Sequence, residues 1–305
     1  MPTIIGQHTM GESKGYRYLP PQMAERLRGL EIGVRRPMDG SHQGLHRSPS
    51  FGSSVEFAEY REYAHGDPIA RIDWPVYARS DRYVIRQFHE DVSIRCTILL
   101  DTSASMGYRQ EGPMSKLEYG CYLAAGVMYA MIQQGDTVSL ITFDREIRKH
   151  YEPCGTFVGL RPMLLGLEEV EPKNEGNIEA ALHVAAEMCK GRSLIVIISD
   201  FLQEPDSIMR GVHHLHHDGK DVTLLHVLDP AELELPMTGL VEVVSLETRE
   251  KLVVDLRQVR HAYQEQMQQY LEQLRRGCQE IRADYLLAQT RTDVYDVILK
   301  RSRAV

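Results

Sequence analysis

The chain has 305 residues, of which 43% are hydrophobic and 26% charged, and its formal net charge is −8. This length suits one large domain with a smaller one, and the composition is that of an ordinary soluble globular protein. Residues 1–96 carry 13 Lys/Arg and 12 Asp/Glu, whereas residues 97–305 carry 22 and 31. The acidic excess of the second part argues against nucleic acid as a partner.

The five cysteines are scattered and show no Cys-x-x-Cys spacing. This pattern favours a reduced, intracellular protein over a disulfide framework or a zinc site. The sequence contains neither a signal-peptide core nor a run of 18 apolar residues, so no integral membrane segment is expected. We therefore expect a cytoplasmic protein, with peripheral attachment to a membrane through partners as the alternative.

The first part of the chain is predicted to be separate from the rest. Residues 1–15 are polar and are expected to form a disordered tail. Residues 16–94 are expected to hold a short helix, a long loop at 33–55 and a small β-rich module at 51–94. Trp74, the single tryptophan, is expected in a core.

Strand and helix patterns alternate from residue 95 to residue 305. The segments predicted as strands are 95–100, 137–143, 146–151, 193–199, 222–228 and one from 284, with short strands also possible in 230–256. The segments predicted as helices are 116–134, 157–168, 178–190, 205–217, 258–282 and 292–302. Such alternation predicts an α/β fold with a doubly wound, mostly parallel sheet.

Polar side chains follow two of the predicted strands. Asp101, Ser103 and Ser105 stand at alternate positions after the strand at 95–100, and Asp200 ends the strand at 193–199. Ligands of open α/β sheets bind outside the carboxyl ends of the strands. Carboxylate and hydroxyl oxygens suit a hard divalent cation, so we expect these four side chains to share one. The alternative is structural, because Asp and Ser also cap helices and stabilise turns.

The sequence resembles the domain-of-unknown-function 58 family from about residue 20 to residue 290. The motifs that carry the resemblance are Arg61-x-Tyr63-x-x-Gly66-Asp67, Arg71-Ile-Asp-Trp74, Ala78-Arg79 and Asp101-Thr-Ser-Ala-Ser105-Met. The strand-end pattern is similar to the metal-ion-dependent adhesion site of von Willebrand factor A domains. That resemblance implies a von Willebrand factor A-like domain at 95–305, with Mg²⁺ (or Mn²⁺) held by hydroxyls, acids and water and one position open for a partner's carboxylate.

The family resemblance also implies a function. Members are associated with MoxR-type AAA+ ATPases, so we expect a non-enzymatic, cation-dependent adaptor or cochaperone that helps such an ATPase act on client proteins. No G-x-x-x-x-G-K-[ST] motif is present, so any ATP dependence would come from another protein. The alternatives are a metal-dependent hydrolase that uses the same acids to activate water, and a scaffold with a vestigial metal site.

One position departs from the family pattern. Gly176 stands where the family has a threonine ligand, and a glycine has no side chain with which to bind a metal. Asn177, Glu175 or water would have to take its place, and Asn177 is the weakest member of the predicted ligand set. Whether a cation occupies the site therefore depends on what replaces the missing threonine.

Overall fold

The computed structural model describes residues 15–34, 43–65, 67 and 69–303. The predicted tail at 1–15 lies almost wholly outside these residues. The strands are β1 (Gln43–Glu62), β2 (Val84–Val92), β3 (Arg95–Asp101), β4 (Thr137–Phe143), β5 (Ile147–Cys154), β6 (Leu194–Ser199), β7 (Asp221–Leu228), β8 (Leu240–Val244), β9 (Lys251–Asp255) and β10 (Asp284–Gln289). The helices are α1 (Pro21–Arg26), α2 (Trp74–Ser80), α3 (Lys116–Gln133), α4 (Phe157–Glu168), α5 (Ile178–Met188), α6 (Pro205–His217), α7 (Pro230–Glu234), α8 (Leu256–Glu280) and α9 (Val294–Arg303).

A six-stranded sheet in the order β10–β7–β6–β3–β4–β5 forms the centre of the protein. Five of its strands are parallel, and only the edge strand β5 runs antiparallel to its neighbour β4. The strands β3, β4, β6 and β7 are buried over most of their length, as expected of parallel strands covered on both faces. The predicted α/β class with a mostly parallel sheet is confirmed.

Helices cover both faces of this sheet. On one face, α3 lies in the middle of the layer with α1, α4 and α9 around it, and on the other face α5, α6 and α8 pack side by side. Fourteen of the 18 residues of α3 are buried, because its sequence is apolar or small almost all round rather than along one stripe. Lys116, at the first position of this helix, is therefore enclosed by protein.

The order of strands reverses at β3. One parallel neighbour of β3 is β4, which follows it in sequence, and the other is β6, which comes some fifty residues after β4. The carboxyl ends of β3 and β6 are therefore adjacent, and the loops that leave them diverge to opposite sides. Such a switch point is where α/β sheets form their binding crevices.

The N-terminal helix belongs to the main domain. Tyr18, Leu27 and Ile32 are buried in the same hydrophobic cluster as α3, and the backbone N–H of Ile32 donates to Gln134 Oε1 at 2.9 Å. By contrast, β1 and β2 form a separate two-stranded antiparallel sheet. The predicted N-terminal part at 16–94 is thus divided between the main core and this hairpin.

Two predictions for the N-terminal part at 16–94 are wrong. Residues 43–55, which were expected to lie in a long loop, are part of β1; residues 35–42 of that loop lie outside the described part of the chain. Trp74 is 51% exposed, because it begins the short helix α2 on the surface, where Asp73 caps the helix by accepting a hydrogen bond from Val76 N at 3.2 Å. The helix itself was not predicted.

The paired family residues Arg61 and Asp67 stabilise a turn. Both carboxylate oxygens of Asp67 lie 2.8 Å from Arg61 Nη2, and Oδ2 also accepts from the backbone N–H of Ala64 at 2.8 Å. A carboxylate that binds one guanidinium and one backbone N–H fixes the path of the chain after β1. These residues have a structural part in the fold.

The region 230–256 contains α7 and a second hairpin. Strands β8 and β9 pair antiparallel over five residues each and form a sheet of their own, so the short strands expected in this region are present. A cavity of about 930 Å³ lies between this hairpin, α7, α8 and the segment that joins β3 to α3. The hairpin therefore stands over the carboxyl edge of the central sheet.

Candidate metal centre

Asp101 ends strand β3 and is almost wholly buried, with 4% of the residue exposed. Its Oδ1 accepts a hydrogen bond from the backbone N–H of Ser103 at 2.8 Å, and its Oδ2 accepts one from the Ser199 hydroxyl at 2.6 Å. The same hydroxyl oxygen accepts from the backbone N–H of Phe201 at 2.9 Å, which leaves the Ser199 proton directed at Asp101. The ends of β3 and β6 thus position this carboxylate together.

The pKa of Asp101 is raised to about 7. Burial is the main cause, and the negative charge of Asp200 adds to it, whereas the hydrogen bonds from Ser199 and Ser103 act in the opposite direction. A carboxylate in such surroundings is stabilised by a proton or by a cation. A cation bound beside Asp101 would therefore stabilise the charged form of this carboxylate.

The two serines of the motif face each other beside Asp101. Ser103 and Ser105 are 1% and 8% exposed, and their hydroxyl oxygens lie 3.1 Å apart. Ser103 is the extended residue that precedes a single turn of 3-10 helix at Ala104–Gly107, and Ser105 lies within that turn. The Asp-x-Ser-x-Ser spacing consequently places one carboxylate and two hydroxyls in one buried corner.

The segment 171–177 lies against these serines. The backbone N–H of Ala104 donates to Asn174 O at 2.8 Å, and Asn174 Nδ2 donates to Asp144 Oδ2 at 2.7 Å. Asn174 has a positive φ of 61°, a conformation that asparagine tolerates better than most residues. Asp144, which follows β4, therefore anchors the loop that closes the third side of the site.

Gly176 rather than Asn177 faces the serines. A Cβ on Gly176 would lie 3.5 Å from Ser103 Oγ, so a side chain at this position would point into the site. The side chain of Asn177 instead caps α5, where its Oδ1 accepts from Ala180 N at 3.1 Å. The backbone of this loop thus presents position 176 to the site, while the side chain at position 177 stabilises a helix end.

Asp200 lies next to this corner but already has a cationic partner. Its Oδ2 is 2.8 Å from Lys116 Nζ, and the same ammonium is 2.6 Å from Glu232 Oε1. The Lys116 side chain is 1% exposed, since it lies on the enclosed first turn of α3. The second predicted acid is therefore bound to an internal ammonium group in this structure.

A fourth carboxylate comes from the turn of the β8–β9 hairpin. Burial and the charge of Asp200 raise the pKa of Glu247, while the Ser105 hydroxyl and the backbone N–H of Gly176 lower it by hydrogen bonding. Glu247 therefore lies close to Ser105 and Gly176, at the edge of the same corner, and it lines a cavity together with Ser105.

The donor set fits a divalent cation. The charge of Asp200 acts to raise the pKa of three neighbouring carboxyl groups, those of Asp101, Glu232 and Glu247, and the Lys116 ammonium opposes this effect at Glu232. The excess of negative charge is what a dication would offset, and the buried hydroxyls are neutral oxygen ligands of the kind that Mg²⁺ accepts. Asp101, Ser103 and Ser105 are the residues that would hold it, with Glu247 within reach.

The site does not have the form of an all-acid or His/Cys cluster. In residues 15–34, 43–65, 67 and 69–303, no group of three or more His, Cys, Asp or Glu side chains is arranged to hold a metal ion. Two of the predicted ligands, Ser103 and Ser105, are hydroxyls. The proposed site would therefore bind its cation through serine hydroxyls in place of a third acidic side chain.

The structural alternative for these residues accounts for part of the geometry only. Asp101 does stabilise the turn through Ser103 N. The N-cap of α3, however, is Ser115, and the N-cap of α6 is Glu204. Neither Ser105 nor Asp200 has a capping role at those helices.

Sequence reasoning missed three side chains of the site. Lys116 had a visible signal, since it is the single cationic residue in the apolar sequence of α3, at the helix end where a positive charge is unfavourable. Glu232 and Glu247 gave no such signal, because Glu232 lies on the short helix α7 and Glu247 lies in a hairpin turn, so neither stands directly at the end of a strand of the main sheet. Their place in the site depends on how the region 230–256 folds back.

The chain belongs to the DUF58 family (protein of unknown function DUF58), whose model matches residues 59–273. The predicted family is thereby confirmed. Its relatives include the uncharacterized proteins Rv1480 of Mycobacterium tuberculosis and Mb1516 of Mycobacterium bovis. Each is 28% identical to this chain over 231 residues, which cover 72% of this chain and 69% of the relative.

Several solved structures are similar to part of this chain. BatB from Bacteroides thetaiotaomicron has a TM-score of 0.48 at 16% identity and covers 70% of this chain and 98% of its own. An aerotolerance-related membrane protein from Bacteroides fragilis has a TM-score of 0.48 at 17% identity, with coverages of 70% and 100%. The VWA domain of SpRpn10 has a TM-score of 0.42 at 9% identity, with coverages of 70% and 97%.

Among the helices that the structure describes, none is both long enough and apolar enough to span a bilayer.

Proposed function

We propose that this chain is a protein-binding module whose strand-end site binds Mg²⁺ or Mn²⁺ and, through that cation, a carboxylate of a partner protein. The observation that supports this most strongly is the buried corner of Asp101, Ser103 and Ser105. There, a carboxylate with a raised pKa and two neutral hydroxyls meet at the switch point of the sheet. When bound, the cation would supply an open coordination position for an incoming oxygen.

The partner that we propose is a MoxR-type AAA+ ATPase together with its client protein. The support for it is the family resemblance, and the chain has no nucleotide-binding motif of its own. In this role the protein is an adaptor or cochaperone rather than an enzyme. We place it in the cytoplasm, which is compatible with five free cysteines.

Cation binding is the first test. Thermal unfolding would be followed during titration with Mg²⁺ and Mn²⁺ in the wild type, in Asp101→Asn and in the control Asp136→Asn. Asp136 is also a buried aspartate, but its Oδ1 accepts from Ile94 N at 2.8 Å at the opposite end of the sheet. A ligand at 100 times its Kd stabilises a fold by about 2.7 kcal/mol, so the wild type and the control should gain several degrees and Asp101→Asn should not.

Partner binding is the second test. Capture of the chain by a MoxR-type ATPase from the same organism should require the cation and should be lost in Asp101→Asn. If the wild type shows no response to either cation, the proposed function is wrong. Hydrolysis of generic phosphoester or peptide substrates that depends on Asp101 would favour the hydrolase instead.

A further inference from the structure

The turn of the β8–β9 hairpin carries the fourth carboxylate of the site. This turn is well defined: Ser245 N donates to Glu250 O at 2.9 Å, and Thr248 N donates to Ser245 Oγ at 3.1 Å. Within it Glu247 is half-buried, whereas the three residues that follow are exposed. Of the two acidic side chains in this turn, Glu247 is thus directed toward the cavity and Glu250 toward solvent.

The Glu247 side chain lies against the candidate metal centre. Its carboxyl group faces the Ser105 hydroxyl and the backbone N–H of Gly176, which are two groups of the candidate metal centre. Glu247 and Ser105 also line the same cavity of about 930 Å³. A partner that approached the serines from this cavity would meet the Glu247 carboxyl group first.

The hairpin itself is loosely held. It is a two-stranded sheet that is not hydrogen-bonded to the central sheet, and such a sheet is marginally stable alone. Three of its side chains, Leu240, Leu252 and Val253, are 75%, 65% and 61% exposed. Because a large cavity rather than packed side chains lies behind it, the hairpin can be displaced without the central sheet being opened.

We infer that Glu247 is an internal ligand of the candidate metal centre, which occupies the position of a partner's carboxylate until the hairpin lifts. This inference rests on the proposed function and adds a regulatory contact to it. A tethered carboxylate acts at an effective concentration in the millimolar range, so it excludes weak external carboxylates. A partner must then bind more tightly, or must also bind the exposed apolar side chains of the hairpin.

The test compares the wild type, Glu247→Gln and the matched control Glu250→Gln. Glutamine keeps the size of the side chain and removes its charge, and Glu250 is an exposed residue of the same hairpin. We would measure the Mg²⁺ affinity of each variant, together with hydrogen exchange of residues 240–255 and of the Gly176 amide. Glu247→Gln should bind Mg²⁺ about tenfold more weakly and should exchange faster at Gly176 and in the hairpin, while Glu250→Gln should behave like the wild type.

Rescue by acetate tests whether the substitution Glu247→Gln opens a coordination position on the cation. With Mg²⁺ present, sodium acetate at constant ionic strength should stabilise Glu247→Gln and leave the wild type unchanged. Equal Mg²⁺ affinity in the wild type and Glu247→Gln, or no rescue by acetate, would overturn the inference and leave the proposed function standing. No effect of the cation on any variant would overturn both.

Discussion

Lys116 and Asp200 form a buried ion pair, with Nζ and Oδ2 2.8 Å apart and side-chain exposures of 1% and 3%. Burial alone would lower the pKa of Lys116, but the negative charges of Asp200 and Glu232 outweigh it and raise the pKa. The ammonium therefore stays charged. Of the two strand-end acids, Asp200 is thus already neutralised by the protein, and Asp101 is the one that a bound cation would compensate.

Replacing Lys116 with methionine should be strongly destabilising. The substitution leaves two buried carboxylates, those of Asp200 and Glu232, without their cation, and removal of one partner from a buried ion pair costs about 3–5 kcal/mol. Urea unfolding measures this loss. Mg²⁺ should recover part of it, because a dication in the site would offset the same charges.

The matched control for that variant is Lys220→Met. Lys220 is also a buried lysine, but it pairs at 3.0 Å with one carboxylate, Asp218, which is 38% exposed. Water can solvate that carboxylate after the substitution, so the loss should be smaller and should not respond to Mg²⁺. Equal losses of stability in the two variants would show that the ion pair of Lys116 contributes no more to folding than that of Lys220.

Introducing a threonine at Gly176 should strengthen cation binding. A Cβ there would lie 3.3 Å from Ser103 Cβ, a close approach that a small shift of the loop can accommodate. The new hydroxyl would add an oxygen ligand on the side of the site that now has only backbone. Calorimetric titration should show a several-fold lower Kd for Mg²⁺ in Gly176→Thr, at a stability cost of about 1–3 kcal/mol.

The control for this prediction is Gly176→Val, which has the shape of threonine without its hydroxyl. It should meet the same neighbours, with the same cost, and should gain no affinity. If both variants bind Mg²⁺ alike, the hydroxyl is not a ligand and Gly176 is not a missing member of the site.

The sequence predicted the strand-end acids because they depend on local pattern and on topology alone. A buried strand followed by a polar residue places that residue at the carboxyl edge, and alternation of strands and helices makes the edges of β3 and β6 coincide. Asp101, Ser103, Ser105 and Asp200 could therefore be predicted together. The metal that they were predicted to hold remains a proposal.

What the sequence could not predict depends on contacts between distant segments. Lys116 and Asp200 are 84 residues apart, and their pairing depends on how deeply α3 is buried. Glu247 reaches the site only because a short hairpin folds back over the sheet, and no periodicity encodes that direction. The exposed position of Trp74 was missed for the same reason, since hydrophobic type does not tell on which side of a short helix the core lies.

Asp229 anchors the loop that joins the motif to α3. Its Oδ2 accepts from the backbone N–H groups of Gln110 and Gly112, both at 3.0 Å, and its Oδ1 accepts from that of Glu111 at 3.1 Å. Although burial acts to raise the pKa of Asp229, these backbone hydrogen bonds outweigh it and lower the pKa.

The variant Asp229→Asn should loosen this loop. An amide nitrogen would replace one acceptor oxygen and face N–H donors, and each unsatisfied buried donor costs about 1–3 kcal/mol. Hydrogen exchange at residues 110–112 should accelerate, and thermal stability should fall. Unchanged exchange at these amides would show that the loop is held by other contacts.

His226 should make the stability depend on pH. It is fully buried on β7, with its Nδ1 2.7 Å from the Tyr285 hydroxyl. Burial lowers its pKa to about 4, against the opposing charge of Asp200. Because the folded pKa lies below the unfolded value of about 6.5, the unfolded state binds more protons between these two values. Stability is therefore complete above about pH 6.5 and is lost as the pH falls toward 4.

The comparison with His226→Gln isolates this effect. Asp101, whose raised pKa of about 7 acts in the opposite sense by favouring the fold as the pH falls, titrates in both proteins and cancels in their difference. The free energy of unfolding of the wild type relative to the variant should fall by about 2 kcal/mol between about pH 8 and about pH 5. Urea unfolding at intervals across this range measures it. If the difference in free energy of unfolding between the two proteins is constant across this pH range, His226 takes up its proton in the folded state. The interior around His226 and Asp200 would then be more polar than the burial of His226 indicates.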